Sequence, residues 1–284
     1  MIFLYFGSMK LFSFLSPSAL KPTWQFSARH ILWRVMFSEH GHIVCEDRDT
    51  EAKSAQFFCI DTANNTVLWE NKNFGEPWWI GLSAITRDRL YLHGFKKPDM
   101  PGQKNITAVD LSSGNILWNN TECAFTALQP PYVYGYKDMF ERRLYYRVDD
   151  QTGTVLEEMQ NLPDDIVPNL QYEKTDFIFP QQTEAADEEL WRRISAENGF
   201  ISAEHITTDN FTVLNVYSQN SALEQGLKNT LSVIDTTTKK KVYSVVLNES
   251  TPYPVPDSFF MDGQRVYYIK ERKTFVALDL QKRK

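Results

Sequence analysis

Val109-Asp110-Leu111-Ser112-Ser113-Gly114-Asn115-Ile116-Leu117-Trp118 decides the fold. An apolar strand ends in Asp, a small polar turn follows, and a second strand carries Trp eight residues after the Asp. Ile60-Asp61-Thr62-Ala63-Asn64-Asn65-Thr66-Val67-Leu68-Trp69 repeats the pattern with the same spacing. Weaker copies start at Asp149, Asp235 and Asp279, the last reaching the C-terminus before its second strand forms. The intervals between the five Asp positions are 49, 39, 86 and 44 residues. Hairpins recurring at roughly 40–45 residues mark β-propeller blades. The 86-residue interval reads as two blades, with a degenerate copy around Arg193-Ile194-Ser195-Ala196-Glu197-Asn198-Gly199. The expectation is an all-β chain, a single propeller of about six four-stranded blades.

A blade whose last strand is missing leaves an open edge, and open edges invite association. Lys21-Pro22-Thr23-Trp24-Gln25-Phe26 supplies a partner strand for it. Trp24 stands 45 residues before Trp69, one blade period. The N-terminal segment is therefore expected to close the ring as the outer strand of the final blade. Residues 1–19 read as a tail, or as a start placed too early, and 20–284 as the propeller domain.

The recurring Trp and Asp have structural duties in this reading. Trp24, Trp69 and Trp118 recur once per blade and pack between neighbouring blades. The repeated Asp caps its turn by accepting backbone N–H groups two residues on.

Composition narrows function. The chain has 284 residues, 42% hydrophobic and 14% aromatic, enough for a large core. A net charge of −6 argues against nucleic acid, which needs clustered Lys and Arg. No stretch approaches the ~20 apolar residues of a membrane span. The apolar start, Met1-Ile2-Phe3-Leu4-Tyr5-Phe6, lacks a basic leader and is broken by Gly7, Ser8 and Lys10, so a cytoplasmic monomer is expected, with export as the alternative. Cys45, Cys59 and Cys123 have no zinc spacing and read as buried free thiols.

Second-to-third and fourth-to-first connections of such blades emerge on one face, and loops on a rigid scaffold carry function. The fourth-to-first connections at 70–77, 119–126, 157–168 and 248–257 hold nine acids against the single base Lys72. Glu70, Glu76, Glu122, Glu157, Glu158 and Asp257, with Trp78 and Trp79 opening an inner strand, form the candidate binding face. An acidic face attracts a cation or a basic partner. No nucleophile elbow, phosphate loop or H-E-x-x-H is present. His40-Gly41-His42 lacks the further ligands a metal would need. No catalytic residue, cofactor or metal site is expected. The leading expectation is a non-enzymatic scaffold binding a protein or peptide. Two other readings use channel carboxylates: an enzyme acting on a small molecule or carbohydrate, and a metal-binding propeller. The enzyme would need two carboxyls converging beside Trp78 or Trp79.

Ala108-Val109-Asp110-Leu111-Ser112-Ser113-Gly114-Asn115-Ile116-Leu117-Trp118, and the half-copy Ala277-Leu278-Asp279-Leu280, resemble the quinoprotein-like propeller repeat. The resemblance implies a β-propeller across most of the chain, in a small, divergent bacterial branch of that superfamily. Its members include pyrroloquinoline-quinone dehydrogenases and binding scaffolds, one an outer-membrane assembly lipoprotein. The dehydrogenases carry an adjacent Cys-Cys pair, whereas none of the three cysteines here are adjacent. The resemblance therefore carries no cofactor to this chain.

Overall fold

The computed structural model describes residues 20–97, 100–169, 172–183, 192, 194–196, 199–219, 226–255 and 258–281. Its regular structure is almost all β. β1 (Trp24–Ser27) comes first. A sheet of β2 (Ile31–Phe37), β3 (His42–Asp49), β4 (Ser54–Asp61) and β5 (Thr66–Lys72) follows. The next sheet is β6 (Ile80–Ile85), β7 (Arg89–Lys97), β8 (Met100–Asp110) and β9 (Ile116–Asn120). The third is β10 (Ala124–Gln129), β11 (Tyr132–Asp138), β12 (Arg143–Asp149) and β13 (Val155–Met159). The fourth has five strands: β14 (Gln181–Gln182), β15 (Phe200–Thr207), β16 (Phe211–Gln219), β17 (Leu227–Asp235) and β18 (Lys241–Thr251). The last is β19 (Phe259–Asp262), β20 (Arg265–Lys270) and β21 (Thr274–Asp279), with β1 paired to β21. Every pairing between these strands is antiparallel; four sheets are meanders in chain order, and the fifth is a three-stranded meander joined by β1, the architecture of a β-propeller.

β1 pairs with β21 in register, Trp24 opposite Ala277 and Ser27 opposite Thr274. Phe26 then meets Phe58 of β4 at 4.9 Å between ring centroids, so the strand touches the first sheet as well as the last.

The Asp turns have one geometry. Asp61, Asp149 and Asp235 each accept backbone N–H bonds from the residues two and three positions on. Four residues after the Asp the backbone enters the left-handed region, at Asn65, Gly114, Gly153 and Lys239. Glycine is used where the neighbouring sheet leaves no room. A Cβ on Gly114 would lie 2.7 Å from the Trp69 ring, and one on Gly153 2.5 Å from Trp118. Those rings also bond to the next sheet: Trp69 Nε1 donates to the Leu111 carbonyl at 2.8 Å, and Trp118 Nε1 to that of Asp150 at 2.9 Å. Each Trp thus joins one sheet to the turn of the next. The three cysteines are free and buried. Cys45 pairs with Phe58 and Cys59 with Val44, so neighbouring register positions put the two thiols on opposite faces of their sheet.

The 86-residue interval was expected to hold two blades. Among the described residues it yields one sheet, β14–β18, and five sheets are described where about six were expected. The residues set aside for a degenerate blade instead include a strap, 163–183, with 170 and 171 outside the described residues. The strap is bonded to one strand of each sheet. Asn169 N donates to the Thr126 carbonyl of β10, and Tyr172 N to that of Ser83 in β6. Glu173 accepts from Phe37 N of β2, and Ile178 exchanges two backbone bonds with Met261 of β19. Thr183 N then donates to Ala203 of β15, beside which Gln181 and Gln182 pair as β14. Bulges make this possible, because an extra residue leaves a ladder carbonyl unpaired. The register slips at Ser83 in β6 and at Thr126 in β10, the two residues whose carbonyls the strap takes. Phe177 and Phe179 of the strap pack on Phe37 at 5.2 and 5.0 Å, and Phe260 joins them.

Candidate functional site

The expected acids are spread over the molecule. Glu70 lies on β5 and Glu157 and Glu158 on β13, all exposed on strands three places removed from the first strand of their sheets. Glu157 pairs with Arg147 at 3.0 Å. Glu122 is exposed between β9 and β10. Glu76 has a local duty: its Oε1 accepts the backbone N–H groups of Trp78 and Trp79, at 3.1 and 3.0 Å. Asp257 lies outside the described residues. Among those described, no group of three His, Cys, Asp or Glu is arranged to hold a metal ion.

Trp78 and Trp79 are half-buried and precede β6 rather than opening it. They meet edge-on at 6.4 Å, and Trp79 meets Phe95 in the same way at 6.2 Å. Beneath them lies a buried ion pair. Arg48 of β3 donates through Nε to Glu46, and its Nη1 and Nη2 donate to the carbonyls of Trp78 and Ile80. Its guanidinium lies 4.5 Å from the Trp78 ring centroid and 5.9 Å from that of Trp33, so one cation binds two indoles together. Burial pushes the Glu46 carboxyl up, opposed by Arg48 and Arg34.

Trp33 and Arg34 were not among the expected site residues. Between Leu32 and Arg34 the β2–β3 register slips by one, and Trp33 is the extra residue. The bulge turns it outward, so 54% of its surface is exposed although it sits on a first strand. Arg34 reaches across to β6, its Nη1 donating to the Leu82 carbonyl at 2.8 Å. Both residues line a cavity of about 460 Å³. Tyr253, after β18, and Arg272, in the β20–β21 turn, line it too, and Phe37 of the strap's aromatic group forms part of its wall.

His93 stands close to both arginines. It is buried in β7, with Ser83 Oγ 2.7 Å from its Nδ1. Burial, with Arg34 and Arg48 nearby, pushes its pKa down to about 4. The folded protein then refuses a proton that the unfolded chain accepts below about 6.5. Stability from this histidine is complete above pH 6.5 and is lost as pH falls from there towards 4. A loss on the order of 3 kcal/mol is expected across that window. Urea unfolding of wild type and His93→Asn at pH 7.0 and 4.5 checks it. Equal acid sensitivity in the two proteins would remove His93 as the cause.

Comparison with known proteins adds little chemistry. A family model described as "Domain of unknown function (DUF4905)" matches residues 37–118, less than half of the chain. No curated protein matches. Among solved structures, BamB from Moraxella catarrhalis is similar over 92% of this chain and 99% of its own, with 5% identity and a TM-score of 0.36. A europium-containing methanol dehydrogenase matches 90% of this chain with 12% identity and a TM-score of 0.31, the match covering 52% of that enzyme. The Dos1 propeller gives 88% and 70% coverage, 11% identity and a TM-score of 0.33. No helix among the described residues is long and apolar enough to cross a membrane. The chain's own five antiparallel sheets give it the architecture of a β-propeller.

Proposed function

We propose that the chain is a non-catalytic binding propeller that docks a protein or peptide on the face carrying its second-to-third and fourth-to-first connections. One observation carries this reading: the fold leaves large aromatic side chains unburied there. Phe140, at the tip of the β11–β12 hairpin, is fully exposed at 101%, and Tyr253 is 76% exposed. Scattered exposed apolar residues are ordinary, but a hairpin tip has no folding need for Met139-Phe140. Exposed Glu122 lies on the same face, and the chain's net charge of −6 favours a basic partner. The same reading takes the β1–β21 pairing as closure of the ring, residues 20–284 as one propeller domain, and the Asp-turn repeat as quinoprotein-like.

The test is affinity capture by wild type and by the double variant Phe140→Ser, Glu122→Gln. A buried aromatic anchor is worth about 2 kcal/mol or more, roughly thirtyfold in affinity. A partner held by wild type and lost from the folded variant supports the reading. Capture of nothing by wild type, or equal capture by both, overturns it.

A further inference from the structure

The cavity beside Trp33 combines apolar and cationic lining residues. Its volume of about 460 Å³ is that of a small-molecule site. In a chain with 36 acids and 30 bases, the described residues lining it include two arginines, Arg34 and Arg272, and no Asp or Glu. The single hydrogen bond of the Arg34 side chain among the described residues, from Nη1 to Leu82, leaves most of its donor fork unused.

Arg272 is held in place by its backbone. Lys273 N donates to Lys270 O at 2.9 Å, closing a turn whose central residues, Glu271 and Arg272, have φ of 48° and 50°. Turns with both central residues at positive φ select Asn-Gly. Here they are Glu and Arg, and two neighbouring sheets fix them: Leu32 N donates to Arg272 O at 2.9 Å, and Glu271 N to Leu247 O at 2.8 Å. Such strain persists where the surroundings over-determine it, and it collects at binding sites. The second special backbone feature of this cavity is the bulge that turns Trp33 outward. The two features thus supply an arginine and an indole to the same space, with the phenol of Tyr253 alongside.

We propose that this cavity binds a small organic anion: a carboxylate or phosphate on a flat apolar body. Arg34 and Arg272 take the charged group, and Trp33 and Tyr253 take the body. Guanidinium groups match both anions by paired, charge-assisted bonds. The site shares Tyr253 with the face proposed above but does not need its partner, and its test uses the purified chain alone.

The experiment is calorimetric titration of the full chain with indole-3-acetate and phenyl phosphate. Neutral indole-3-acetamide, acetate and inorganic phosphate serve as matched controls. Aromatic anions are expected to bind, with the amide and the bare anions weaker by about tenfold or more. The better of the two aromatic anions identifies the charged group. Arg272→Gln should weaken aromatic-anion binding by about tenfold, with an unchanged circular dichroism spectrum. Trp33→Leu should weaken both aromatic anions while leaving bare phosphate unchanged. Arg272→Gln is the preferred charge variant, because Arg34 also ties β2 to β6. Equal affinity for acid and amide, no effect of Arg272→Gln, or no aromatic-anion binding at millimolar concentration would each overturn the proposal.

Discussion

Deleting residues 1–28 will leave a chain that does not reach a stable fold. The deletion removes β1 and exposes the N–H and C=O groups of β21 that it pairs from Trp24–Ala277 to Ser27–Thr274. Thr23 N and Ala28 N also donate to the carbonyls of Ala277 and Lys273. Each net backbone bond is worth about 1 kcal/mol. Phe26 and Trp24 pack into the cluster of Phe58, Phe275 and Ala277, and burying such a side chain contributes about 2 kcal/mol. The sum rivals the whole stability of an ordinary protein, about 5–15 kcal/mol. The freed edge also becomes a template for association. Deletion of residues 1–19 alone, which keeps β1, is the comparison. The expected result is a cooperative melt and a single size-exclusion peak for the shorter deletion, and aggregation or no melt for the longer. Two equal melts would show that β1 is dispensable.

Gly153→Ala is expected to destabilise the protein by about 3 kcal/mol, lowering the melting temperature by roughly 5–10 °C. Two costs combine. The residue sits at φ +72°, where an L side chain is strained. Its new methyl would also lie 2.5 Å from a Trp118 ring that is buried and tied by Nε1 to Asp150 O. Gly263→Ala separates the two, since Gly263 has φ +56° and nothing within 4 Å of its would-be Cβ. That variant bears the backbone cost alone, about 1 kcal/mol. Matching losses in thermal unfolding would mean the Trp118 ring gives way freely. The docking of each Trp on the next sheet would then contribute little.

What the sequence displayed and what it hid differ in physical kind. The Asp turn is a local device. Asp149 must find the N–H groups of Gln151 and Thr152 within its own turn, so the residue types at fixed offsets state the geometry. The Trp spacing carries across sheets because each sheet repeats the last, which is why Trp24 could be aligned with Trp69. The strap has no such period. Its bonds go to bulge carbonyls at Ser83 and Thr126, far away in sequence, and a segment satisfied from outside shows no alternation of its own. A count of intervals therefore took its length for a blade. The site was hidden for the same reason. A bulge at Trp33 depends on how β2 meets β3, and the strand Ile31–Phe37 reads as ordinary without it. Glu76 has a duty that its loop position does not reveal: one carboxylate oxygen accepts the backbone N–H groups of Trp78 and Trp79.

Repeat proteins are close to one-dimensional, each unit leaning on its neighbours, so damage in one unit stays nearby. The strap breaks that rule. A single run of about twenty residues is bonded to β10, β6, β2, β19 and β15, visiting the sheets out of chain order. It cannot find its place until both ends of the chain have been made and brought together. The slow event in folding is then the seating of this one segment, against a high loop-closure entropy. Once seated, it ties all five sheets to one segment, so a single cooperative unfolding transition is the expected result.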